Sequence, residues 1–246
     1  MVYVPLPVQA SAVGAAVQGL AALGFRGANV TIPHKGAVVP YLSWLDDDAR
    51  AVDAVNTIVV HGDQMRGYNT DIEGVRGALT DAADGDLRGA PGLVFGAGGA
   101  GRAAALALAR MGALVTVVNR TAAAAERLAA LISAAVPGAG CRWIALSDLT
   151  AAEVAAQRVV VNATSLGMAG TGKVPALLVD TVTAGQVVFD VVYTHSETHL
   201  LGQARARGAI VIDGLSLLIR QAAAAFELWT GERAPLEVMR DAIARR

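Results

Sequence analysis

The sequence predicts an α/β fold of two domains with mostly parallel sheets. Short apolar runs alternate with segments of helical periodicity, the pattern of parallel strands covered by helices. A glycine-rich turn at 96–101 follows one apolar run and opens a helix. The connection 82–92, which contains Gly, Asp and Pro91, is the best domain boundary. The 246 residues, 54% of them hydrophobic, suffice for one large domain or two modest ones.

The chain before residue 82 is predicted to form four strands and four helices. The strands are 2–4, 27–32, 57–60 and 64–68. The helices are one with Val13, Val17 and Leu20 on a single face, then 37–44, 46–54 and 69–81. The last two strands flank a short turn around Gly62 and so predict a hairpin.

The chain after residue 92 alternates strands with helices, which is typical of one parallel sheet. The strands are near 93–95, 114–118, 159–161, 187–190 and 209–212. The helices are one from the glycine-rich turn to 111, then 215–228 and 236–244.

The charge balance excludes several classes of partner. With 20 basic and 21 acidic residues the net charge is −1, so we expect no nucleic-acid or membrane partner.

The single cysteine, Cys141, excludes an intramolecular disulfide and fits a reducing compartment. Residues 1–25 carry no charge and so lack the basic start of a signal peptide, and Pro5 and Pro7 help to interrupt any membrane span. We expect a cytoplasmic protein with a small-molecule substrate, and a homodimer is left open.

No metal site is expected from the sequence. Asp46, Asp47 and Asp48 suit a helix start, where acidic residues cap the backbone and oppose the macrodipole. His195 and His199 have a spacing that could chelate a metal on a helix, but no third ligand group accompanies them.

The glycine-rich turn predicts a dinucleotide site. Its residues are Gly96, Ala97, Gly98, Gly99, Ala100 and Gly101. They have the spacing G-x-G-x-x-G, in which glycines let the backbone approach a pyrophosphate at the amides of a helix N-terminus. The alternative is a turn that only packs the helix on the sheet.

The end of the next strand favours NADP over NAD. It reads Asn119-Arg120-Thr121, where NAD-binding domains carry an acidic residue for the ribose 2′-hydroxyl. Here no carboxylate would repel a 2′-phosphate, and the Arg120 guanidinium can bind one. An exposed arginine at a helix start is the alternative.

Lysine is rare in this chain, and the position of one of the two lysines suggests a role in proton transfer. Eighteen of the 20 basic residues are arginines, which leaves Lys35 and Lys173. Lysine can release a proton, whereas arginine keeps its own in proteins. Lys35 follows a predicted strand end, and Asp71 is its natural partner. Such a pair can relay the proton of a carbinol whose hydride leaves for a nicotinamide. Singly, they would be a surface lysine and a helix cap.

The chain resembles the shikimate dehydrogenase family in motifs that follow the same order over nearly its whole length. These are Asn29-Val30-Thr31-Ile32-Pro33-His34-Lys35, Ala54-Val55-Asn56-Thr57, Asn69-Thr70-Asp71 with Gly74, the glycine-rich turn, Asn119-Arg120-Thr121, Asn162-Ala163-Thr164 with Gly167-Met168, Asp190 with Tyr193, and Asp213-Gly214-Leu215 with Gln221. The resemblance implies NADPH-dependent, reversible reduction of 3-dehydroshikimate to shikimate, in chorismate and aromatic amino-acid biosynthesis. A quinate/shikimate dehydrogenase of looser cofactor choice and a non-catalytic NADP-binding relative are the alternatives.

The resemblance also implies roles by position. The catalytic pair would be Lys35 and Asp71. Contacts to substrate hydroxyls would come from Thr31, Asn56, Tyr193 and Gln221. Contacts to the cofactor would come from Gly96, Ala97, Gly98, Gly99 and Ala100 at the pyrophosphate, Asn119, Arg120 and Thr121 at the ribose phosphate, Thr164, Val191 and Gly214 near the ribose or nicotinamide, and Asp47. The implied domains are a substrate-binding catalytic domain over 1–85, a Rossmann domain over 86–214, and C-terminal helices over 215–246 that pack back on the first.

Two of the departures from the family pattern bear on ligand binding. Ala124 stands where NADP-preferring relatives often have a second arginine, which predicts weaker 2′-phosphate binding. No Ser-x-Ser precedes Lys35, although serines of such a motif hold the substrate carboxylate in relatives. Either the sequence lacks its native beginning, with the family's first strand and helix, or the carboxylate is bound differently. A real absence would expose an edge of the first sheet.

Overall fold

The predicted α/β fold is confirmed, with the strands gathered in two sheets. The computed structural model describes residues 2–82, 86–168, 171–194 and 196–244. The smaller sheet contains β1 (Gly27–Asn29), β2 (Trp44–Leu45), β3 (Thr57–His61) and β4 (Gln64–Tyr68). The larger sheet contains β5 (Pro91–Phe95), β6 (Leu114–Asn119), β7 (Cys141–Ala145), β8 (Val159–Asn162), β9 (Val187–Asp190) and β10 (Ile210–Ile212).

The smaller sheet is largely antiparallel, so the prediction of mostly parallel sheets is wrong for it. Its order is β1-β3-β4-β2, and only the β2–β4 pair is parallel. The predicted hairpin is confirmed as β3–β4. His61 lies opposite Gln64 across a two-residue turn, in which Gly62 has a φ of 64°. A positive φ is a conformation that glycine adopts without strain.

The larger sheet is parallel throughout, as predicted. Its order is β10-β9-β8-β5-β6-β7, the doubly wound arrangement of dinucleotide-binding domains. The chain leaves β5 toward β6 on one side and later returns to β8 on the other. The carboxyl ends of β5, β6 and β8 therefore lie side by side at the crevice where such folds bind ligands.

Ten helices are described, and most connect successive strands. They are α1 (Val13–Ala22), α2 (Asp47–Val52), α3 (Thr70–Ala82), α4 (Gly99–Arg110), α5 (Ala122–Ala135), α6 (Ala151–Ala155), α7 (Ala176–Asp180), α8 (His199–Ala206), α9 (Gly214–Thr230) and α10 (Leu236–Ala244). The predicted buried face of α1 and the aspartate start of α2 are confirmed. The Asp46 carboxylate accepts a hydrogen bond from the Ala49 amide at 2.6 Å. Within the described ranges, no helix combines the length and apolarity needed to cross a bilayer.

Helix α9 returns from the larger sheet to the smaller one. A Cβ at Gly74 of α3 would lie 2.6 Å from Leu217 Cδ1 of α9, so the missing side chain allows the two helices to approach closely. Near the end of α9, the Trp229 indole donates to the Ile58 carbonyl of β3 at 2.9 Å. One apolar core covers a face of the larger sheet and continues into α3, where it includes Val75 and Leu79. The two sheets are therefore joined through α3 and α9.

Two predicted elements are wrong. Residues 2–4 form no strand, because no strand among the described residues pairs with them. Val2 and Tyr3 are 84% and 73% exposed, and the Tyr3 hydroxyl donates to Asn29 Oδ1 at 3.0 Å. The predicted helix 37–44 is a 3₁₀ turn at Val39–Tyr41 followed by β2. Pro40 explains the difference, because proline lacks an amide hydrogen and is tolerated only in the first turn of a helix.

Several elements were not predicted, namely β2 of the smaller sheet and β7, α5, α6, α7 and α8 of the larger half. Strand β7 lies at the edge of its sheet and is only partly buried, so its sequence lacks a continuous apolar run. It contains Cys141, and burial raises the pKa of this thiol to about 11. The cysteine is therefore a protonated, unreactive residue at neutral pH.

Candidate active site

Lys35 and Asp71 meet in an ion pair between the two sheets. Lys35 lies in the turn after β1, where the His34 amide donates to the Thr31 carbonyl at 2.9 Å, and Asp71 lies in the first turn of α3. Lys35 Nζ is 2.5 Å from Asp71 Oδ2, and the two side chains are 17% and 7% exposed. The sequence predicted this pairing of residues 36 positions apart. The pair is sheltered from bulk water but still reachable by a ligand.

Asn56 fixes the other oxygen of the Asp71 carboxylate. Its Nδ2 donates to Asp71 Oδ1 at 2.8 Å and to Thr70 Oγ1 at 3.0 Å. Its Oδ1 accepts the Thr70 amide at 2.8 Å, a bond that settles which way the side-chain amide points. Both oxygens of the carboxylate are therefore held by neighbouring side chains.

Gln221 of α9 completes this group. Its Oε1 lies 3.4 Å from Asn56 Nδ2, although the two residues are 165 positions apart. Because Nδ2 has two hydrogens and three acceptors around it, the contact to Gln221 is the longest and weakest. We call Lys35, Asn56, Thr70, Asp71 and Gln221 the polar cluster.

Two buried threonines support the cluster and were missed as functional residues by sequence reasoning. Thr70 joins Asn56 as described, and Thr57 Oγ1 donates to Asn56 Oδ1 at 3.0 Å. Asn29 Nδ2 donates in turn to Thr57 Oγ1 at 3.3 Å. The signal available in the sequence was that each threonine directly follows an asparagine of a motif.

The glycine-rich turn has the geometry of an anion cradle. We call residues 96–101 the glycine loop. A Cβ at Gly101 would lie 2.0 Å from the Gly96 carbonyl oxygen, so the loop closes only without a side chain there. Gly98 begins α4 with no side-chain cap, and a Cβ there would meet nothing within 4 Å. The amides in the first turn of any helix have no acceptor within the helix, so those of α4 are donors that a pyrophosphate could use.

The glycine loop touches the polar cluster. A Cβ at Gly99 would lie 3.0 Å from Lys35 Cδ, so the lysine side chain passes directly over the start of α4. The predicted catalytic lysine and the predicted cofactor loop thus share one cleft. A ligand on the loop and a ligand on the cluster would be neighbours.

The end of β6 lies beside the glycine loop, as the sheet order requires. The Gly96 amide donates to the Val118 carbonyl at 2.8 Å, and Asn119 Nδ2 donates to the Thr121 carbonyl at 3.1 Å. Arg120 is exposed and makes no hydrogen bond or ion pair with any residue that the structure describes. Its guanidinium is therefore available to an anionic ligand. We call the glycine loop and residues 119–121 the β5–β6 edge.

Thr164, Val191 and Gly214 lie along the same edge of the sheet. A Cβ at Gly96 would be 2.9 Å from Thr164 Cγ2, and one at Gly214 would be 2.4 Å from the Val191 carbonyl oxygen. These residues follow β8, β9 and β10, whose carboxyl ends point to the crevice. The structure thus aligns them with the glycine loop.

A buried carboxylate links these strand ends. Asp190 accepts hydrogen bonds from Thr198 Oγ1 at 2.7 Å, Asn162 Nδ2 at 2.9 Å and the Val192 amide at 3.1 Å. Asn162 Oδ1 in turn accepts from Thr164 Oγ1 at 2.7 Å. Burial raises the pKa of the Asp190 carboxyl, although the three hydrogen bonds oppose that shift.

Thr31, Tyr193 and Asp47 were also predicted as site residues, and among the described residues no hydrogen bond joins them to the polar cluster or the glycine loop. Thr31 is exposed in the turn before Lys35. Tyr193 is 54% exposed and lines a separate groove of about 460 Å³ between α3, α8 and α9. Asp47 is exposed in the first turn of α2.

The described residues hold no metal-binding constellation. No three His, Cys, Asp or Glu side chains within the described ranges are grouped so that they could hold an ion. His195, which the sequence pairs with His199, lies outside the described residues.

Comparison with known proteins gives a consistent result. The profile of the shikimate dehydrogenase substrate binding domain matches residues 1–58, and that of the shikimate 5′-dehydrogenase C-terminal domain matches residues 214–244. A shikimate dehydrogenase (NADP⁺) from Salinibacter ruber is 46% identical over 98% of this chain and 86% of its own length.

Solved structures are similar over nearly the whole chain. The shikimate 5-dehydrogenase of Thermus thermophilus, in complex with NADP(H) and shikimate, superposes with a TM-score of 0.82 at 34% identity. The superposition covers 97% of this chain and 85% of the Thermus chain. The quinate dehydrogenase of Corynebacterium glutamicum, in complex with NAD, has a TM-score of 0.86 at 33% identity. This superposition covers 95% of this chain and 82% of the Corynebacterium chain.

Proposed function

Since the chain belongs to the shikimate dehydrogenase family, we propose that it is an NADP-dependent oxidoreductase of the cytoplasm that reversibly reduces 3-dehydroshikimate to shikimate. The observation that carries this proposal is the Lys35–Asp71 ion pair, 2.5 Å long, directly beside Gly99 of the glycine loop. A proton-transfer pair at the mouth of a dinucleotide cradle is what the reduction of a carbonyl requires.

We propose three regions for this activity. Residues 1–85 form the substrate-binding catalytic domain, residues 86–214 the dinucleotide-binding domain, and residues 215–246 the helices that return to the first. The close approach of α9 to α3 at Gly74 and the bond from Trp229 to Ile58 support the return. The cleft between the two sheets is then the place of reaction.

Lys35 and Asp71 have distinct tasks in the proposed reaction. When bound, NADPH supplies the hydride that adds to the substrate carbonyl carbon. The Lys35 ammonium donates a proton to the carbonyl oxygen, which yields the carbinol, and it recovers a proton from solvent. Asp71 orients the ammonium through its 2.5 Å contact and is itself held by Asn56. In the oxidation direction Lys35 accepts the proton.

The substrate hydroxyls are proposed to bind at Asn56 and Gln221, with Thr31 and Tyr193 closing the site from exposed loops. The long 3.4 Å contact between Asn56 and Gln221 supports this assignment, because a hydroxyl could replace it with two shorter bonds. A polyol needs several fixed donors and acceptors of this kind. Thr31 and Tyr193 would have to move toward the substrate.

The cofactor is proposed to lie along the strand ends. Its contacts would be Gly96, Ala97, Gly98, Gly99 and Ala100 at the pyrophosphate, Asn119, Arg120 and Thr121 at the 2′-phosphate ribose, and Thr164, Val191 and Gly214 near the nicotinamide ribose, with Asp47 at the rim. The open amides of α4 and the free guanidinium of Arg120 support this path. Asp47 has the least support, since no contact joins it to the loop.

A second candidate is a quinate/shikimate dehydrogenase that also accepts NAD. Ala124, in the first turn of α5, leaves Arg120 as the sole arginine of the 119–124 segment, which favours this alternative. The likeness to the Corynebacterium quinate dehydrogenase points the same way.

One steady-state assay separates the candidates. Purified protein is given 3-dehydroshikimate with NADPH or NADH, and shikimate or quinate with NADP⁺ or NAD⁺, and the nicotinamide absorbance is followed. We expect turnover with 3-dehydroshikimate and NADPH, and with shikimate and NADP⁺. Equal or higher kcat/KM with quinate and NAD⁺ would favour the second candidate. A folded protein that binds NADPH but turns over no substrate would refute both and leave the non-catalytic relative.

A further inference from the structure

Two arginines of α4 bind residues of α2 and of the turn that follows it. Arg102 Nη1, in the first turn of α4, donates to the Val52 carbonyl at 2.8 Å and to the Asp53 carbonyl at 2.9 Å. Arg110, at the other end of α4, pairs with the Asp48 carboxylate at the start of α2. Each arginine therefore ties α4 to one end of α2, but only Arg102 binds the end that leads to the polar cluster.

The residue under Arg102 has an unusual backbone. Asp53 ends α2 with a φ of 49° and a ψ of 46°, and among the described residues it is the one non-glycine with positive φ. A non-glycine residue is less stable in this left-handed region than in the right-handed helix. The Arg102 bond to its carbonyl, and the bond from its amide to Ala49, hold it there.

From Asp53 the chain runs directly into the polar cluster. The Val55 amide donates to the Lys35 carbonyl at 2.8 Å, and the Asn56 amide donates to the Tyr68 carbonyl at 3.1 Å. The turn 53–56 therefore sets the position of the Lys35 backbone and of the Asn56 side chain. Arg102 holds the first residue of that turn from the helix that begins in the glycine loop.

We propose that Arg102 is a positioning residue that fixes the polar cluster relative to the glycine loop, by bridging the Val52 and Asp53 carbonyls to the first turn of α4. The inference rests on the proposed function, because the distance it controls is that between bound cofactor and bound substrate. Hydride transfer needs the reacting atoms within about 3–3.5 Å, so a loosened bridge lowers the rate without removing any group that touches a ligand.

The two carbonyl bonds carry this role, rather than the charge of Asp53. The carboxylate of Asp53 is 3.6 Å from Arg102 and 65% exposed, and exposed ion pairs of that length contribute little. Asp53→Asn removes the charge, and asparagine tolerates the left-handed conformation. This variant is therefore expected to behave like the wild type.

The test compares Arg102→Ala and Arg102→Lys with Arg110→Ala, which removes the other arginine between the same two helices, and with Asp53→Asn. Arg102→Lys keeps a positive charge near the proposed pyrophosphate site, but its side chain is shorter, so its ammonium is less able to reach the two carbonyls that Arg102 Nη1 binds. For each variant one measures kcat and KM for 3-dehydroshikimate, the Kd of NADPH without substrate, and Tm. We expect kcat/KM for 3-dehydroshikimate to fall about tenfold or more in Arg102→Ala and less in Arg102→Lys. NADPH Kd in Arg102→Lys should stay within about twofold, because the charge is retained.

The outcomes distinguish three cases. The positioning role is supported if the Arg102 variants lose kcat/KM while Arg110→Ala and Asp53→Asn keep the wild-type value. Arg102 variants that lose only Tm or only NADPH affinity, with kcat/KM for the substrate unchanged at saturating NADPH, would overturn it and leave a structural or charge role. A wild-type protein without turnover would instead overturn the proposed function. If Arg102→Ala does not fold, Arg102→Lys alone decides between the first two cases.

Discussion

The polar cluster and the β5–β6 edge are built by different means. In the cluster, polar side chains bind one another directly, as in the contacts of Lys35 and Asn56 with the two oxygens of Asp71. At the β5–β6 edge, the cradle consists of backbone from which side chains are missing, and the charged group beside it, Arg120, is exposed and unengaged among the residues that the structure describes.

This difference follows from the ligands that the two regions are proposed to bind. The carbonyl group of the proposed substrate is uncharged and brings little binding energy of its own, so the protein groups that react with it have to be oriented in advance. A phosphate-rich ligand brings strong charge, so open amides and one exposed guanidinium suffice until it binds. We therefore expect substitutions in the cluster to act on catalysis and substitutions at the edge to act on affinity.

Lys35→Ala tests this contrast most strongly. We expect kcat to fall about 100-fold or more, because the proton donor is lost, while the Kd of NADPH changes little. Steady-state kinetics and nicotinamide fluorescence measure the two quantities. Lys35→Arg is the matched variant. It keeps the ion pair with Asp71, and so the stability, but arginine does not exchange its proton, so kcat should stay low. A recovered kcat in Lys35→Arg would contradict the role in proton transfer.

Gly101→Ala tests whether the β5–β6 edge depends on absent side chains. The new Cβ would fall 2.0 Å from the Gly96 carbonyl oxygen, so the backbone must shift. We expect the free energy of unfolding of the ligand-free protein to fall by about 1–3 kcal/mol, together with NADPH affinity. Urea unfolding measures the first quantity. Gly98→Ala is the control. Because a Cβ there meets nothing within 4 Å, this variant should lower the ligand-free stability less than Gly101→Ala does.

Arg120→Ala separates affinity from catalysis at the same edge. We expect the Kd of NADPH to rise about tenfold while that of NADH stays the same, because only NADPH carries the 2′-phosphate. Fluorescence titrations with both cofactors measure this. Arg127→Ala removes an exposed arginine of α5 that lies seven residues further along the chain. It should change the Kd of neither cofactor. Equal losses for NADPH and NADH would remove Arg120 from the 2′-phosphate.

Asp190→Asn gives the smallest expected effect, one that depends on pH. Burial raises the pKa of Asp190, so the folded protein holds this proton more strongly than the unfolded chain does. The resulting contribution to stability is lost as the pH rises through the raised pKa. Asparagine resembles the protonated form at every pH. The stability of the wild type relative to Asp190→Asn should therefore decrease as the pH rises above the ordinary pKa of a carboxyl, about 4, as urea unfolding would measure. A constant difference would show that the titration of Asp190 does not affect folding.

Sequence patterns predicted well wherever a local periodicity or a turn motif was sufficient. The strand, glycine-rich turn and helix that end at Arg110, the hairpin around Gly62 and the start of α3 at Thr70 are of this kind. Strand 2–4 failed because a strand exists only with a neighbour, and helix 37–44 failed because Pro40 restricts its backbone. Edge strand β7 was not predicted because it is only partly buried and its sequence therefore lacks a continuous apolar run.

The sequence by itself determined which chemical groups are available: one lysine beside a strand end, an aspartate at a helix start, a glycine-rich turn without bulk and an arginine in place of an acid. Only the tertiary structure decided that they meet. Gln221 reaches Asn56 because Gly74 lets α9 approach α3, and Lys35 passes over Gly99 because no side chain occupies that position. Arg102 binds two carbonyls of a turn about 50 residues earlier in the chain. Such contacts depend on the distances between helices and sheets. Packing of the whole core sets these distances, and the local propensity of a segment does not.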